Sequence, residues 1–307
     1  MIRTSNQKGS VLIIALILMM IAISLALFVV SLSRDLVASS HMLLDKLQAR
    51  FDAESTAEKI KYIAATGRFA PGEIQNMSAI TGFPTQLSLR GTSFKAGNSD
   101  VELIDSASRF GLWPPQSEFL KLVMLTNGIA PQDVAIAIDS LLDWTDVDDL
   151  KRLNGAEKYY YRSDNSFAYQ PRNDRFMQTK EELALIRGFQ GKSYDILKDV
   201  IIDTHSGRIN INTAGQKVLG SILEVNDDNA KIIVDVRDKR GFITIPELTA
   251  MSGNNLTFSE DYITFFPSRT VYIKIHTTVN DARDSLEMIV NFQYHKSKAF
   301  VVEKYTD

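Results

Sequence analysis

The chain has 307 residues, of which 45% are hydrophobic and 23% are charged, a composition typical of a packed core in one large or two small domains. Its formal net charge of −3 gives no overall attraction to nucleic acid or to an anionic surface. Cysteine is absent, which excludes disulfides, cysteinyl zinc sites and a thiol nucleophile.

One long apolar segment lies near the N-terminus. It runs from Val11 to Leu32 with only Ser24 and Ser31 as polar residues, and the nearest charges are Lys8 and Arg34. A helix of this length, at about 1.5 Å per residue, crosses the roughly 30 Å hydrocarbon core of a bilayer. Because the residues before the segment carry the positive charge, the N-terminus is predicted to be cytoplasmic and the rest of the chain to lie across the membrane.

Three kinds of protein begin with such a segment. A cleaved secretory signal typically has a shorter apolar core and a small-residue cleavage site, whereas here a helix-favouring sequence continues to Gly67. A plain signal anchor remains an alternative. The sequence Lys8-Gly9-Ser10, however, resembles the prepilin peptidase site of type IV pilins and type II secretion pseudopilins. That resemblance implies a cut between Gly9 and Ser10 and a mature helix that continues outward as a rod to Thr66.

Strands are predicted on both sides of a helical block. Pro71 to Gly82 is predicted as a loop, and Gln86–Phe94 and Val101–Leu112 as strands. Seven helices are predicted between residues 116 and 259: Phe119–Leu125, Pro131–Trp144, Thr179–Ile186 with a capping box, Tyr194–Val200, Ala214–Leu223, Asp228–Arg237 and Ile245–Met251. Three further strands end the chain: Val271–Val279, Ser285–Tyr294 and Ala299–Tyr305.

This order predicts an α+β fold of the type IV pilin kind, in which a long helix packs on an antiparallel sheet and a large all-α domain is inserted into that sheet. The predicted division is a leader over residues 1–9, a transmembrane segment over 10–33, a periplasmic helix over 34–67, a sheet over 83–112 and 268–307, and the inserted domain over 113–267.

Four motifs in the helical block carry a more specific resemblance. They read Asp143-Trp144-Thr145-Asp146-Val147-Asp148, Gly155-Ala156-Glu157, Glu182-Leu183 with Ile186-Arg187-Gly188, and Ile209-Asn210-Ile211-Asn212-Thr213-Ala214. In this order, on a prepilin-like N-terminus, they closely resemble the protein K family of type II secretion systems, and the resemblance spans most of the chain.

The resemblance implies a minor pseudopilin at the tip of a periplasmic filament, starting and capping it. Its implied partners are the I-type and J-type minor pseudopilins, the major pseudopilin, the prepilin peptidase and the inner membrane. The predicted contact lies on the N-terminal helix at Val37, Leu44, Leu47 and Phe51. After a cut at Gly9 the fifth residue would be Ile14, where pilins inside a filament carry Glu, and a subunit with nothing above it needs no such carboxylate. A minor pilin of a related type IV pilus or DNA-uptake system is the alternative.

Five acidic residues are concentrated on the end of one predicted helix and in the loop after it: Asp143, Asp146, Asp148, Asp149 and Glu157. Calcium takes six to eight oxygen ligands, so converging carboxylates suit it, and the resemblance implies calcium binding in this domain. The spacing is not that of an EF-hand. Alternatively, these side chains cap backbone groups or lie in solvent, as acidic loop residues commonly do.

Two other functions receive little support from the sequence. Glu224–Arg237 resembles a helix-hairpin-helix, but its hairpin position, Val225-Asn226-Asp227-Asp228, is acidic and lacks glycine, so we expect a packing module and no nucleic acid. The basic residues Arg237, Lys239 and Arg240 are interpreted as a solvated turn. The four histidines are far apart, and no Walker loop, dinucleotide fingerprint or nucleophile elbow is present, so an enzyme such as a membrane-tethered hydrolase is not expected.

Overall fold

The computed structural model describes residues 10–78, 80–163, 170–174, 176–205, 207–252, 262–292 and 301–306. Helix α1 comprises Ser10–Thr66. The strands of the main and accessory sheets are β1 (Arg68–Ala70), β2 (Glu73–Gln75), β3 (Gln86–Ser88), β4 (Phe94–Ala96), β5 (Ser99–Asp105), β10 (Thr270–Val279), β11 (Ala282–Asn291) and β12 (Val301–Thr306). Between β5 and β10 lie residues 106–269, hereafter the insert.

Helix α1 has two parts with different surroundings. From Val11 to Leu44 its side chains are exposed, whereas from Ala49 onward one face is buried against the sheet. The helix ends at Gly67, whose N–H donates to the Ile63 carbonyl oxygen at 2.7 Å. A Cβ at position 67 would lie 2.6 Å from the same oxygen, so the tight turn out of the helix requires glycine.

The main sheet is antiparallel and has five strands in the order β12-β11-β10-β5-β4. In β10 buried and more exposed residues alternate, because one face of the sheet packs on α1 and the other does not. This face and helix α1 share one hydrophobic core, built from residues between 53 and 103 and between 271 and 292. The three predicted C-terminal strands are therefore present. Of the third, the first two residues, 299 and 300, lie outside the described residues.

The accessory sheet is antiparallel, with three strands in the order β1-β2-β3. The prediction of a loop over Pro71 to Gly82 is wrong at its start, since β2 lies there and pairs with β1. The predicted strand Gln86–Phe94 is also wrong as one element. Its ends belong to two different sheets, because the chain turns at Gly91, which has φ +77°.

The insert is mainly helical and has its own hydrophobic core, formed by residues between 110 and 263. Its helices are α2 (Ser117–Thr126), α3 (Pro131–Thr145), α4 (Lys158–Ser163), α5 (Lys192–Leu197), α6 (Gln216–Ile222), α7 (Asp227–Arg240) and α8 (Ile245–Ser252), with 3₁₀ helices at Ser106–Ser108 and Lys180–Leu185. Four short strands complete it: β6 (Phe110–Trp113), β7 (Ile201–His205), β8 (Ile209–Asn210) and β9 (Ile263–Thr264).

These short strands differ from the predicted pattern. The strand predicted over Val101–Leu112 divides at a 3₁₀ turn, so that β5 joins the main sheet while β6 pairs in parallel with β7 inside the insert. Strands β7 and β8 were not predicted. The predicted helix Thr179–Ile186 is a 3₁₀ helix, and Thr179 makes no side-chain cap.

The insert leaves the main sheet at the end that is far from the N-terminal part of α1. At the start of β5, Ser99 Oγ lies 3.4 Å from Thr56 Oγ1 of α1. Strand β5 ends at Asp105, whose N–H donates to the Leu89 carbonyl oxygen at 2.9 Å, beside the accessory sheet that follows the C-terminal end of α1. The helical mass therefore lies at the end of the sheet away from the apolar segment.

Candidate functional site

Two regions of the molecule are candidates for function: an exposed apolar stripe on α1 and an acidic loop in the insert. The stripe consists of Val37, Leu44, Leu47 and Phe51, whose exposed fractions lie between 45% and 65%. At about 100° per residue, these four positions fall within an arc of about 80° on the helix surface. Four large apolar side chains on one exposed arc form a surface suited to packing against another helix.

The stripe faces away from the main sheet. The sheet contacts the opposite face of α1, where Ala49, Ala53 and Ala57 are buried. The small size of these alanines lets the sheet approach the helix closely, and it leaves the stripe without contact from the rest of the described chain.

The N-terminal half of α1 fits a single-pass membrane anchor. It is a continuous helix with no charged residue before Arg34, and its apolar side chains are exposed. Ser10 begins the helix, while Gly9 lies outside the described residues, so the predicted cleavage site remains a prediction.

The acidic loop, residues 146–157, follows the C-terminal end of α3. It is fastened to that helix by Asp139, whose Oδ2 accepts hydrogen bonds from the backbone and side-chain nitrogens of Asn154, both at 3.0 Å. Arg187 holds the same point from the other side, since its Nη1 donates to the carbonyl oxygens of Asn154 at 3.3 Å and Gly155 at 3.1 Å. Asp139 and Arg187 therefore hold the loop in place at Asn154 and Gly155.

Glycine at position 155 lets the loop approach α3. A Cβ there would overlap Oδ2 of Asp143 and lie 3.1 Å from the carbonyl oxygen of Asp139. Gly155 therefore packs directly on the Asp143 carboxylate, and this contact explains why the first and second motifs occur together.

The third motif supports the same site through the side chain of Glu182. Trp144 Nε1 donates to Glu182 Oε1 at 2.8 Å, and Glu182 also accepts from the backbone N–H of Gln178 at 2.8 Å. Arg172 Nε lies 3.1 Å from Glu182 Oε1. Glu182 therefore contacts Trp144 and Arg172, and the capping box predicted at Thr179 is absent because Thr179 makes no side-chain cap.

The five predicted acidic residues lie at the C-terminal end of α3, which carries Asp143, and in the loop after it, but they have different environments. Asp143 is fully buried and accepts hydrogen bonds from Arg152, from Nη1 at 2.7 Å and from the backbone N–H at 3.2 Å. The Arg152 guanidinium also pairs with Asp146. The hydrogen bonds that Arg152 donates to Asp146, and to a smaller extent those it donates to Asp143, raise the pKa of its guanidinium.

The other two aspartates lie nearer to solvent. Asp148 is exposed and accepts from the backbone N–H of Leu150 at 2.8 Å, and Asp149 pairs with Lys158. In the structure these two residues thus make the local contacts that the alternative interpretation expects of acidic loop residues.

Glu157 is the least compensated of the five. Only 4% of the residue is exposed, and neither carboxylate oxygen has a hydrogen bond of good geometry from the described residues. Burial raises the pKa of Glu157 to about 7, and the negative charges of Asp143 and Asp146 add to the rise. A smaller effect of the Lys158 backbone N–H opposes it.

The buried carboxylate oxygens that lack hydrogen bonds are suitable ligands for a hard cation. Asp146 Oδ1 and both oxygens of Glu157 are buried and lack hydrogen-bond partners among the described residues. Orphaned carboxylate oxygens of this kind match the oxygen ligands that calcium prefers. Among the described residues, no group of three or more acidic or histidine side chains is arranged to hold a metal ion. The Arg152 guanidinium pairs with both Asp143 and Asp146.

Sequence reasoning identified the acidic residues but not their basic and polar partners. Arg152, Arg187 and Asp139 belong to no motif, and their roles depend on chain segments that come together only in the fold. No local signal in the sequence distinguishes them from ordinary surface charges.

In the segment predicted as a packing module, α7 contacts α6 and buries Ala230 and Ile233. Asn226 caps α7 by accepting from the backbone N–H of Asn229 at 2.8 Å, and acidic residues follow in the first turn. The interpretation of Arg237 as part of a solvated turn is wrong. Arg237 is buried, and its Nη1 donates to the carbonyl oxygens of Ile211 and Ala214.

Known proteins resemble this chain in sequence and in structure. A family model described as type II secretion system, protein K, matches residues 114–202. Type II secretion system protein K of Pseudomonas aeruginosa is 28% identical over 171 residues, and the match covers 52% of this chain and 51% of the relative. The match thus spans about half the length of that curated relative.

A solved structure extends the likeness over nearly the whole chain. It is described as the crystal structure of the GspK–GspI–GspJ complex from the enterotoxigenic Escherichia coli type 2 secretion system, and one of its chains superposes with a TM-score of 0.58 and 14% identity. The superposition covers 90% of this chain and 99% of the other. It confirms the predicted fold, a pilin-like α+β architecture with a helical insert.

The motif order predicted the same family that these sequence comparisons identify independently. Over residues 114–202 the chain thus matches the protein K family of type II secretion systems, and the predicted resemblance to that family is confirmed.

Proposed function

We propose that this chain is a non-enzymatic minor pseudopilin of a type II secretion system, held in the inner membrane by the N-terminal half of α1. The prepilin peptidase would cut between Gly9 and Ser10 on the cytoplasmic side, and the folded part would lie in the periplasm. The exposed apolar helix and the positive charge before it support this topology.

The proposed partners are the I-type and J-type minor pseudopilins and, below them, the major pseudopilin. The structural neighbour was solved in a complex of GspK with GspI and GspJ. In this chain the stripe of Val37, Leu44, Leu47 and Phe51 offers an apolar helix surface for the equivalent contact. Helices from neighbouring subunits can pack along such a stripe both in the membrane and above it.

The insert determines the proposed position in the filament. It forms a second hydrophobic core at the end of the sheet away from the membrane, which is where an identical subunit would have to stack. A filament can continue only while each subunit presents the surface that the next one needs. The chain would therefore terminate the filament and occupy its tip, where it starts and caps assembly.

Crosslinking and counting test this proposal. Because the chain lacks cysteine, Leu47→Cys or Phe51→Cys can be introduced singly into the full-length protein and paired with single cysteines on the helices of the I-type and J-type subunits. We expect crosslinks to these subunits and about one copy of the chain per filament. A copy number close to that of the major pseudopilin would refute the tip position.

We further propose that the acidic loop binds calcium through Asp143, Asp146 and Glu157, with Asp148 and Asp149 available at the exposed side of the loop. The support is the buried, unpartnered oxygens of Asp146 and Glu157 beside Asp143. A bound divalent cation would supply the positive charge that Arg152 provides to Asp143 and Asp146.

A thermal denaturation experiment tests the calcium site. We expect the full-length protein in detergent to melt at a higher temperature in calcium than in chelator, because a ligand that binds only the folded state stabilises it by about 2.7 kcal/mol at a hundredfold excess over its dissociation constant. Magnesium at the same concentration is the control. Equal melting temperatures in calcium and in chelator would refute the site.

A further inference from the structure

The fourth motif, Ile209 to Ala214, takes no part in the stripe or in the acidic loop. It lies at the junction between the insert and the main sheet, where two side chains of the pilin-like body, Asp105 and Arg90, reach into the insert. We propose that Asp105 and Arg90 are positioning residues that fix the orientation of the insert, so that the insert and the main sheet move as one rigid body. Asp105 and Arg90 are hereafter called the clamp.

Asp105 joins three parts of the chain at one carboxylate. It is the last residue of β5 and is fully buried. Its Oδ2 accepts from the insert, from Asn210 Nδ2 at 3.0 Å and from Thr213 Oγ1 at 2.8 Å. Its Oδ1 accepts from Ser268, in the segment that returns to the sheet, from the N–H at 3.0 Å and the hydroxyl at 2.8 Å. Oδ1 also accepts from the Ala107 N–H, just after β5, at 3.1 Å.

A carboxylate in this position opposes rotation of the insert. Burial raises the pKa of Asp105, while the hydrogen bonds from Asn210, Ser268 and Thr213 oppose that rise. If the insert turned, Asn210 and Thr213 would move away together and leave the buried Oδ2 of Asp105 without a hydrogen-bond donor, which is a strongly unfavourable change for a buried carboxylate. Orientations other than the one observed are therefore disfavoured.

Arg90 provides a second, separate attachment. It lies between β3 and β4, and its Nε donates to the Asn212 carbonyl oxygen at 2.8 Å. Its Nη2 donates to the Gly241 carbonyl oxygen at the end of α7, and Asp238 of that helix lies 3.6 Å from Nε. Two attachments at different points prevent a rotation that one alone would permit.

Asn212 of the fourth motif connects the residues held by the clamp to other parts of the insert. Asn212 is fully buried and donates to the carbonyl oxygens of Ile243 at 3.2 Å and Phe265 at 3.0 Å, while its Oδ1 accepts from the Ile243 N–H at 2.7 Å. The segment held by the clamp is therefore bonded to the loop before α8 and to the segment after β9 that leads back to the sheet.

Gly72 encloses the Arg90 guanidinium from the accessory sheet. A Cβ at this position would overlap the guanidinium and lie 3.1 Å from the Asn212 carbonyl oxygen. The substitution Gly72→Ala therefore displaces Arg90 without removing any hydrogen-bonding group. A second substitution, Asp105→Asn, keeps the size of the side chain. Whichever way the amide is oriented, its NH₂ group faces hydrogen-bond donors, so hydrogen bonds to the side chain of residue 105 are lost.

Pulsed electron paramagnetic resonance on the full-length protein in detergent tests the clamp. Spin labels would be attached at Lys95→Cys in the main sheet and Lys231→Cys on α7, both exposed positions in a chain without native cysteine. A second labelled pair, Lys121→Cys and Lys231→Cys, reports on the insert alone. We expect a narrow distance distribution for both pairs in the parent protein.

In Asp105→Asn and in Gly72→Ala, we expect the sheet-to-insert distribution to widen at least about twofold, because the insert then samples several orientations. The pair within the insert should keep its width. Thr277→Val, which alters a buried hydrogen bond inside the sheet, is the matched control and should change neither distribution.

Two results would overturn the proposal. One is a sheet-to-insert distribution of unchanged width in both variants. The other is equal widening of the pair within the insert, which would mean that the clamp maintains the fold of the insert and not its orientation. Neither result depends on where the chain lies in a filament, so the clamp can fail while the tip position holds.

Discussion

Among single residues, Glu157 has the least compensated charge in the acidic loop. Its carboxylate is buried beside Asp143 and Asp146, and the Arg152 guanidinium is engaged with those two aspartates. An ionised Glu157 is therefore unfavourable in the folded protein unless a cation joins it.

This environment predicts a pH dependence of stability. The pKa of Glu157 is raised from 4.5 to about 7, so the folded state takes up a proton at a higher pH than the unfolded state does. Without calcium, the free energy of unfolding should rise as the pH falls from 8 to 5, by at most about 1.4 kcal/mol per pH unit from this group. Below the unfolded pKa the gain is complete. Urea denaturation of the full-length protein in chelator at several pH values measures it.

Glu157→Gln is the matched control for the pH series. The amide has the same shape and no charge, so the variant should lose this part of the pH dependence and should gain no stability from calcium. The opposite trend is expected for the parent protein in calcium, since cation binding requires the ionised carboxylate. An identical pH slope in the parent and Glu157→Gln would contradict the raised pKa.

The hydrogen bond of the Trp144 indole predicts a further effect of a single residue on stability. Its indole N–H donates to Glu182 Oε1 at 2.8 Å, so Trp144→Phe should reduce the free energy of unfolding by about 1–3 kcal/mol beyond the loss of ring volume. Trp113→Phe removes the same atoms, but Trp113 Nε1 has no hydrogen-bond partner among the described residues. Chemical denaturation of both variants should therefore show a larger loss for Trp144, and equal losses would refute the role of the hydrogen bond.

At the residue scale, the sequence predicted which acidic side chains would cluster at the end of α3 and in the loop after it, but not what each one contacts. Five carboxylates within a short stretch are visible in the sequence, whereas the separation of buried Asp143 and Glu157 from exposed Asp148 depends on where Gly155 and Arg152 fold back. Thr179 shows the same limit, because Glu182 was expected to cap a helix and instead accepts from Trp144.

Among the elements, α1 combines three roles along one helix. Its first part fits a membrane anchor, its middle carries the apolar stripe, and its last part packs on the main sheet through alanines such as Ala53. The stripe can be altered without affecting the other two roles, since its side chains are exposed and lie on the face opposite the sheet.

Charge placed in the stripe should therefore prevent partner binding and leave the fold intact. We expect Leu47→Asp together with Phe51→Asp to abolish co-purification with I-type and J-type minor pseudopilins, because a buried unpaired carboxylate would be required in the contact. The melting temperature of the isolated protein should change little. His41→Asp adds one negative charge outside the stripe and should co-purify normally. Retained binding by the double variant would move the interface elsewhere.

Elements were predictable where periodicity is long and clear. Helix α1, helix α3 and the β10–β11 hairpin have many turns or alternations, and the structure contains them at nearly the expected bounds. Strands β7 and β8 are only five and two residues long, and their parallel partners lie far away in the chain, so no local pattern marks them as strands.

For the whole molecule, the geometry of the main sheet allows the insert to be removed. Asp105 of β5 and Val271 of β10 are directly paired, so the two strands are already neighbours where the insert leaves and returns. Replacing residues 106–270, which are the insert and Thr270, by Asn-Gly would join them through a two-residue hairpin of the favoured type. Asp105→Thr would accompany the deletion, so that no buried carboxylate is left without its donors.

We expect this shortened protein to fold, because the main sheet and α1 have a hydrophobic core separate from that of the insert. It should still co-purify with the minor pseudopilins through the stripe, but it should no longer terminate filaments, since the mass that prevents stacking is absent. Labelled copies would then appear within filaments as well as at their ends, as counted by immunogold electron microscopy. If the shortened protein folds, binds its partners and still occurs only at the tip, steric blocking by the insert is not what ends the filament.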